Sequence, residues 1–148
     1  MQIESWDWHL LWMHLERIGL AYTISLPLGW EREKEAHSAG IRTFPLVAMA
    51  SCAYVLVATT IGSTDPAAPS RVIQGLVAGI GFIGGGAILK DGTTIRGTAT
   101  AASIWNVGAI GASVAMGRFE IAVILSVLNV ITLHFLLPLK QRLGGTKE

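Results

Sequence analysis

Charged side chains are scarce in this chain of 148 residues: Asp, Glu, Lys and Arg make up 14% of it, whereas hydrophobic residues make up 51%. The mean hydropathy of +0.53 is too high for an ordinary soluble domain, which needs more charge to solvate its surface. The net charge of +1 gives no support to nucleic-acid binding. The composition therefore indicates a chain that is embedded in lipid and has short loops.

Cysteine and chemically active clusters are equally scarce. Cys52 is the single cysteine, so the chain cannot form an intrachain disulfide. No Cys/His cluster, nucleophile with a base or HExxH pattern occurs, so we predict no metal site, no cofactor and no enzyme activity. Of the ten Asp and Glu residues only Glu16 falls well inside a predicted span, since Glu120 is the second residue of span five, and a divalent-cation pathway needs convergent oxygen ligands at depth. A stand-alone divalent-cation transporter is disfavoured.

Long apolar segments fill most of the chain. They predict an all-α membrane protein, a bundle of five transmembrane helices in one domain over residues 1–148, with spans at 10–30, 43–62, 72–89, 98–116 and 119–139. The acidic N-terminus lacks the basic start of a cleaved signal, so the first span is expected to remain attached. With Arg17 set aside, one set of alternate loops and tails holds eight Lys and Arg residues and the other set holds two. The positive-inside rule then places the N-terminus outside and the C-terminus in the cytoplasm.

Glycine is concentrated in the third span, which has no charged residue over 18 positions but six glycines. Glycine is unfavourable within a helix, but in lipid small residues four positions apart let a neighbouring helix approach closely. We therefore predict that this span lies at the centre of the bundle and pairs with span four. The predicted helix-packing residues are Gly75, Gly79, Gly81, Gly84, Gly85, Gly86, Gly108 and Gly111. The G-x-G-x-x-G match at 79–84 lies inside an apolar run, so we do not interpret it as a nucleotide site.

Polar residues fall into two predicted groups. Within the spans they are Glu16, Arg17, Asn106 and Asn129, for which interhelical hydrogen bonding is favoured over ligand contact. On the cytoplasmic side they are Glu31, Arg32, Arg42, Thr43, Lys90 and Arg96. The basic members of the second group could hold a phosphate, a lipid headgroup or an acidic partner protein, or act only as topological signals.

Four sequence blocks, in this order and spacing, resemble the MgtC/SapB family of membrane proteins. They are GWERE at 29–33, AGIRT at 39–43, GIGFIGGG at 79–86, and RG at 96–97 followed by TAASIW at 100–105. The glycine block departs from the family at Gly85, where Ala is usual. Thr98 and Ala99 also replace a common Leu-Thr pair.

The resemblance implies a multi-pass inner-membrane protein that takes part in magnesium homeostasis. It implies that such proteins act by binding other membrane complexes, such as ATP synthase or transport and sensor complexes, and it leaves homo-oligomerisation open. The chain is expected to be a short form without the C-terminal cytoplasmic domain of longer members. A different reading, a small transporter or channel subunit, would have the run Gly84 to Gly86 break span three, as in discontinuous transporter helices.

Overall fold

Five helices and one small hairpin make up the fold. The computed structural model describes residues 7–34, 39–92 and 94–144. The elements are α1 Trp8–Glu33, α2 Thr43–Ile61, α3 Ala68–Gly86, β1 Leu89–Asp91, β2 Thr94–Arg96, α4 Thr98–Ala115 and α5 Phe119–Gly144. The predicted all-α architecture of five helices is confirmed. The antiparallel β1–β2 hairpin was predicted only as a loop.

Local chemistry explains several helix ends. α1 begins where Asp7 Oδ1 accepts hydrogen bonds from the backbone N–H groups of His9 and Leu10, at 2.9 and 3.2 Å. α3 begins with a proline in its first turn, where the missing N–H costs nothing. It runs without interruption to Gly86 and ends there. The interpretation in which Gly84 to Gly86 break this helix is therefore wrong, because the glycine run ends the helix instead of dividing it.

The helices alternate in direction, as contacts between distant parts of the chain show. The end of α1 meets the start of α4 through Arg32 and Thr100, and the early part of α1 meets the end of α4 through Arg17 and Ala115. Ser126 Oγ of α5 donates to the Ile24 carbonyl oxygen of α1 at 2.8 Å, and farther along both helices His134 contacts Glu31. α5 therefore runs parallel to α1. The tails at 1–6 and 145–148, on which part of the predicted orientation depends, lie outside the described residues.

The central helix is α4, which packs against all four other helices. The prediction that span three lies at the centre is wrong: α3 packs extensively only on α2 and α4, and most of its surface is exposed. The physical reason is that α4 is lined by small residues on several sides. A Cβ on Gly111 would overlap the Ala48 carbonyl oxygen of α2, and a Cβ on Gly108 would overlap the Ile80 side chain of α3.

Apolar side chains cover the outside of the described bundle. Its large exposed residues include Trp12, Tyr54, Phe82, Trp105, Ile124, Leu128 and Phe135, whereas its buried residues include Ser25, Arg32, Ser51, Thr100, Ser103 and Ser126. Large apolar side chains on the outside suit a bundle surrounded by acyl chains. By length and composition, two segments could each cross a membrane: α2 and residues 119–136 of α5.

We predict that Gly111→Ala loosens the contact between α2 and α4. The added Cβ would strike the backbone of Ala48 and lie 2.9 Å from Ser51 Cβ, so the helices must move apart. The expected loss is about 1–3 kcal/mol in the free energy of unfolding, measured by denaturant titration in micelles. Gly79→Ala is the matched control. A Cβ there has no atom within 4 Å, so its better helix propensity should leave stability unchanged or slightly higher. Equal losses in the two variants would contradict this account.

Candidate functional site

Most of the predicted polar residues lie at one end of the bundle, where α1 and α3 end and α2 and α4 begin. We call this the hairpin end, because it also carries residues 89–96. Two contacts hold helices together at this end. Arg32 of α1 contacts Thr100 of α4, and Gly84 of α3 packs on the backbone of Ala101 of α4, whose carbonyl oxygen would lie 3.2 Å from an added Cβ. Glu31, Arg32, Arg42, Thr43, Lys90 and Arg96 all belong to this end.

Arg32 is the buried charge of the hairpin end, with 3% of its surface exposed. Its Nη2 donates to Thr100 Oγ1 at 3.0 Å, and Thr100 is itself buried in the first turn of α4. Arg32 also lies in the last turn of α1, where a cation is favoured by the helix dipole. A buried guanidinium is costly unless it is hydrogen-bonded, so this pair fixes α1 against α4. The exposed basic residues at this end, among those described, are Lys34, Arg42, Lys90 and Arg96.

Glu31 joins α1 to α5 at the same end. Its Oε1 lies 2.8 Å from His134 Nδ1, and its Oε2 accepts from Lys34 Nζ at 2.8 Å. The hydrogen bond from Lys34, followed in size by the one from His134, holds the pKa of the Glu31 carboxyl below its ordinary value of 4.5. The carboxylate therefore stays charged at neutral pH and tethers the second half of α5.

A ladder of polar contacts links α4 to α5 deeper in the bundle. Asn106 Nδ2 donates to the Leu125 carbonyl oxygen at 3.3 Å, and Asn129 Oδ1 accepts from Ser103 Oγ at 3.1 Å. The Nδ2 atom of Asn129 is buried and has no hydrogen-bond partner among the described residues. Both asparagines thus lie between helices. The sequence analysis missed Thr100 and Ser103, although their spacing of three residues places them on one face of α4.

The charged pair in α1 separates in the structure. Arg17 Nη1 donates to the carbonyl oxygen of Ala115, the last residue of α4, whereas Glu16 is exposed. The final carbonyl groups of a helix lack intrahelical partners and carry partial negative charge, so a guanidinium is well placed there. Arg17 therefore caps α4 at the end opposite the hairpin.

The glycines of α3 are placed differently from those of α4. A Cβ added at Gly75, Gly79, Gly81, Gly85 or Gly86 would have no atom within 4 Å, whereas Gly84 packs on Ala101. Gly75 and Gly79 also line an apolar groove of about 670 Å³ between α2 and α3, with Thr43 and Tyr54 among the α2 residues that line it. Within this chain, five of the six α3 glycines leave space open. Their helix-packing role stays a prediction that needs a contact from outside the chain.

Metal binding has no candidate in the part of the chain that the structure describes, where no group of three or more His, Cys, Asp and Glu residues could hold an ion. Glu31 and His134 form a pair within hydrogen-bonding distance, and Lys34 completes that contact with a cation. The arrangement at the hairpin end can tether helices and present positive charge.

Comparisons with known proteins agree on one family. A family model described as the MgtC family matches residues 18–142. Protein MgtC of Salmonella typhimurium is 31% identical over 135 residues, which cover 91% of this chain and 57% of that protein. Protein MgtC of Brucella abortus is 33% identical over 121 residues, covering 82% and 50%. An uncharacterized protein of Synechocystis is 36% identical over 125 residues, covering 84% and 53%. The chain thus spans about half the length of the curated relatives it matches. No solved structure matches significantly.

We predict that Thr100→Val destabilises the bundle, because it keeps the side-chain shape but removes the acceptor for the buried Arg32. A hydrogen bond to a charged group that is lost in a buried site costs about 1–3 kcal/mol in the free energy of unfolding. Thr98→Val, at the exposed first residue of α4 two positions earlier, is the control and should be close to neutral. Comparable unfolding midpoints for both variants would rule out this role for Thr100.

The Glu31 tether predicts a pH dependence with a definite sign. Since the pKa of Glu31 is lowered in the folded chain, its contribution to stability is complete above pH 4.5 and is lost as the pH falls through the lowered value. Glu31→Gln should therefore be less stable than the wild type at neutral pH, and the difference should shrink in strong acid. Unfolding midpoints across that range measure this. Glu120→Gln is the control, since Glu120 is exposed and lies 3.7 Å from Arg118. A difference for Glu31→Gln that does not change with pH would contradict the tether.

Proposed function

This chain belongs to the MgtC family, and from that premise we propose that it is a five-span protein of the bacterial inner membrane that binds and modulates other membrane proteins. The setting that we propose, adaptation to low magnesium or a related shift in ion or phosphate supply, comes from the MgtC/SapB resemblance. The surface that we propose for binding is the exposed side of α3. Each part of the proposal is supported by a different observation.

The many large apolar side chains on the outside of the described bundle support five spans. α4, the shortest of the five helices, has 18 residues and a length of about 27 Å, close to the hydrocarbon thickness of a bilayer. α2 and α5 are long and apolar enough by themselves to cross a membrane. The other three helices have lower hydropathy, because α1 contains charged residues and α3 and α4 are rich in small residues. The alternating helix directions support a placement of all five helices across the same bilayer. Arg42, Lys90 and Arg96 are exposed at the hairpin end, which favours a cytoplasmic location for that end.

The observation that carries the binding proposal is the bare outer side of α3. Exposed small residues and one aromatic ring recur on one side of the helix through several turns: Gly75, Ala78, Gly79, Gly81, Phe82, Gly85 and Gly86. Transmembrane helices associate mainly by close packing, and small residues permit the closest approach. Nothing within the described chain occupies this side, and the open groove beside α2 continues it. A helix of a partner membrane protein has the shape and polarity to fill that space.

Phe82 supplies the raised feature of the same surface. It is 85% exposed, the highest value among the large apolar residues of the described chain, and glycines precede and follow it within one turn. A ring that projects between stretches of bare backbone can anchor a partner helix in one register. Binding of this kind modulates a partner by restraining its helices and requires no catalytic group.

We predict that Gly79→Leu or Gly81→Leu abolishes function while the bundle still folds and inserts. Neither position has an atom within 4 Å of an added Cβ, so the new side chain can start into open space without displacing the backbone. It would hold a partner helix away from α3, and overpacking of about 1–3 kcal/mol corresponds to a loss of roughly 5- to 150-fold in binding. The measurements are growth of a deletion strain complemented at low magnesium and photocrosslinking from position 82 in native membranes.

Val127→Phe is the matched control, since it adds bulk to an exposed position on α5. It should preserve both growth and crosslinking. Membrane extraction and unfolding midpoints should be the same in all variants. Full complementation by the two leucine variants, with unchanged crosslinks from position 82, would exclude α3 as the binding surface.

A further inference from the structure

The hairpin of residues 89–96 leaves the bundle at a rigid base. Gly97, which follows β2, has a φ of +85°, and a Cβ on it would overlap the Ala87 carbonyl oxygen and lie 3.4 Å from Ile88 Cα. The chain therefore returns against its own outgoing backbone between the end of α3 and the start of α4. Because this crossing is so close, the hairpin is held at the level of the two helix ends.

The hairpin mixes apolar and basic side chains on both of its faces. Leu89 pairs with Arg96, and Lys90 pairs with Ile95. Neighbouring residues in a strand point to opposite faces, so each face carries one apolar and one basic side chain. All four are exposed, Leu89 by 59% and Ile95 by 60%. Neither face is thus suited to water alone or to an apolar protein surface alone.

An isolated two-stranded hairpin is marginally stable in water, and this one makes its main contacts within itself. The boundary of an anionic bilayer offers an apolar environment for Leu89 and Ile95 and negative charge for Lys90 and Arg96. Apolar side chains enter the upper acyl region, and Lys and Arg extend their charged ends to phosphate groups. Asp91, the only acidic residue of the segment, is the last residue of β1, next to the turn.

We propose that the hairpin stands edge-on in the cytoplasmic membrane surface, so that both of its faces meet lipid, and that it binds anionic phospholipid headgroups through Lys90 and Arg96, with Leu89 and Ile95 in the acyl boundary. This assignment rests on the five-span placement proposed above, which brings the ends of α3 and α4 to the membrane surface. Each basic residue near an anionic surface contributes a factor of roughly five to the attraction, so the two together favour the bound state by roughly 30-fold. Salt should weaken this attraction.

The test uses the full chain with Cys52→Ala and Ile95→Cys, labelled at position 95 with an environment-sensitive fluorophore. It is reconstituted into vesicles of phosphatidylcholine alone or of phosphatidylcholine with phosphatidylglycerol. We expect a blue shift and quenching by shallow spin-labelled lipids in the anionic vesicles, both reduced by salt. Lys90→Glu with Arg96→Glu should return the emission to that seen in phosphatidylcholine. Arg118→Glu, an exposed charge change in the turn between α4 and α5, is the control and should not alter it.

Each outcome decides the assignment. Emission typical of water in both lipids would overturn it and leave the hairpin open to an acidic protein partner. A blue shift that is equal in both lipids, or that persists after charge reversal, would overturn the role of the anionic headgroups. Alkaline extraction of the same vesicles tests membrane integration separately. A chain that is retained but shows no lipid dependence loses only the hairpin assignment, whereas an extracted chain loses the five-span proposal as well.

Discussion

The close packing of α4 against its four neighbours is the constraint on which the other features depend. Gly111 lets α2 lie against the α4 backbone, and Gly108 makes room for the Ile80 side chain of α3. Because Ile80 seats in that space, the buried side of α3 is set, and the opposite side faces outward. The exposed glycines of α3 thus follow from the buried glycines of α4.

Polar contacts then fix how the helices are aligned along their length. Dispersion forces alone resist sliding weakly, whereas a hydrogen bond in a water-free interior has no substitute partner if the helices shift. Two arginines of α1 hold it in register along nearly the whole length of α4: Arg17 bonds to the end of α4 and Arg32 bonds near its beginning. Ser103 with Asn129, and Asn106 with Leu125, do the same for α5. The apolar side chains on the exterior do not fix the alignment of the helices and can contact lipid.

The two surfaces that we propose as functional are adjacent in the chain, since the hairpin begins where α3 ends. The glycine run Gly84 to Gly86 ends the helix, and Gly97 closes the base of the hairpin. A partner held on α3 would therefore be oriented by a bundle whose α3–α4 connection is anchored at the membrane surface. Partner binding and lipid binding are separate proposals, but the close packing at Gly97 fixes the position of the hairpin relative to α3.

The amino-acid sequence by itself determined the number and approximate limits of the helices, because runs of apolar residues and helix-ending glycines and prolines act locally. It also contained the blocks that identify the family. It could not determine which side of a helix faces inward, since in lipid a neighbouring helix and an acyl chain are equally apolar. Gly79 and Gly108 look alike in sequence, yet one is exposed and the other buried. Likewise, the sequence grouped Arg32 with the surface charges. It is buried against Thr100 because α1 and α4 pack together there, which only the tertiary structure decides.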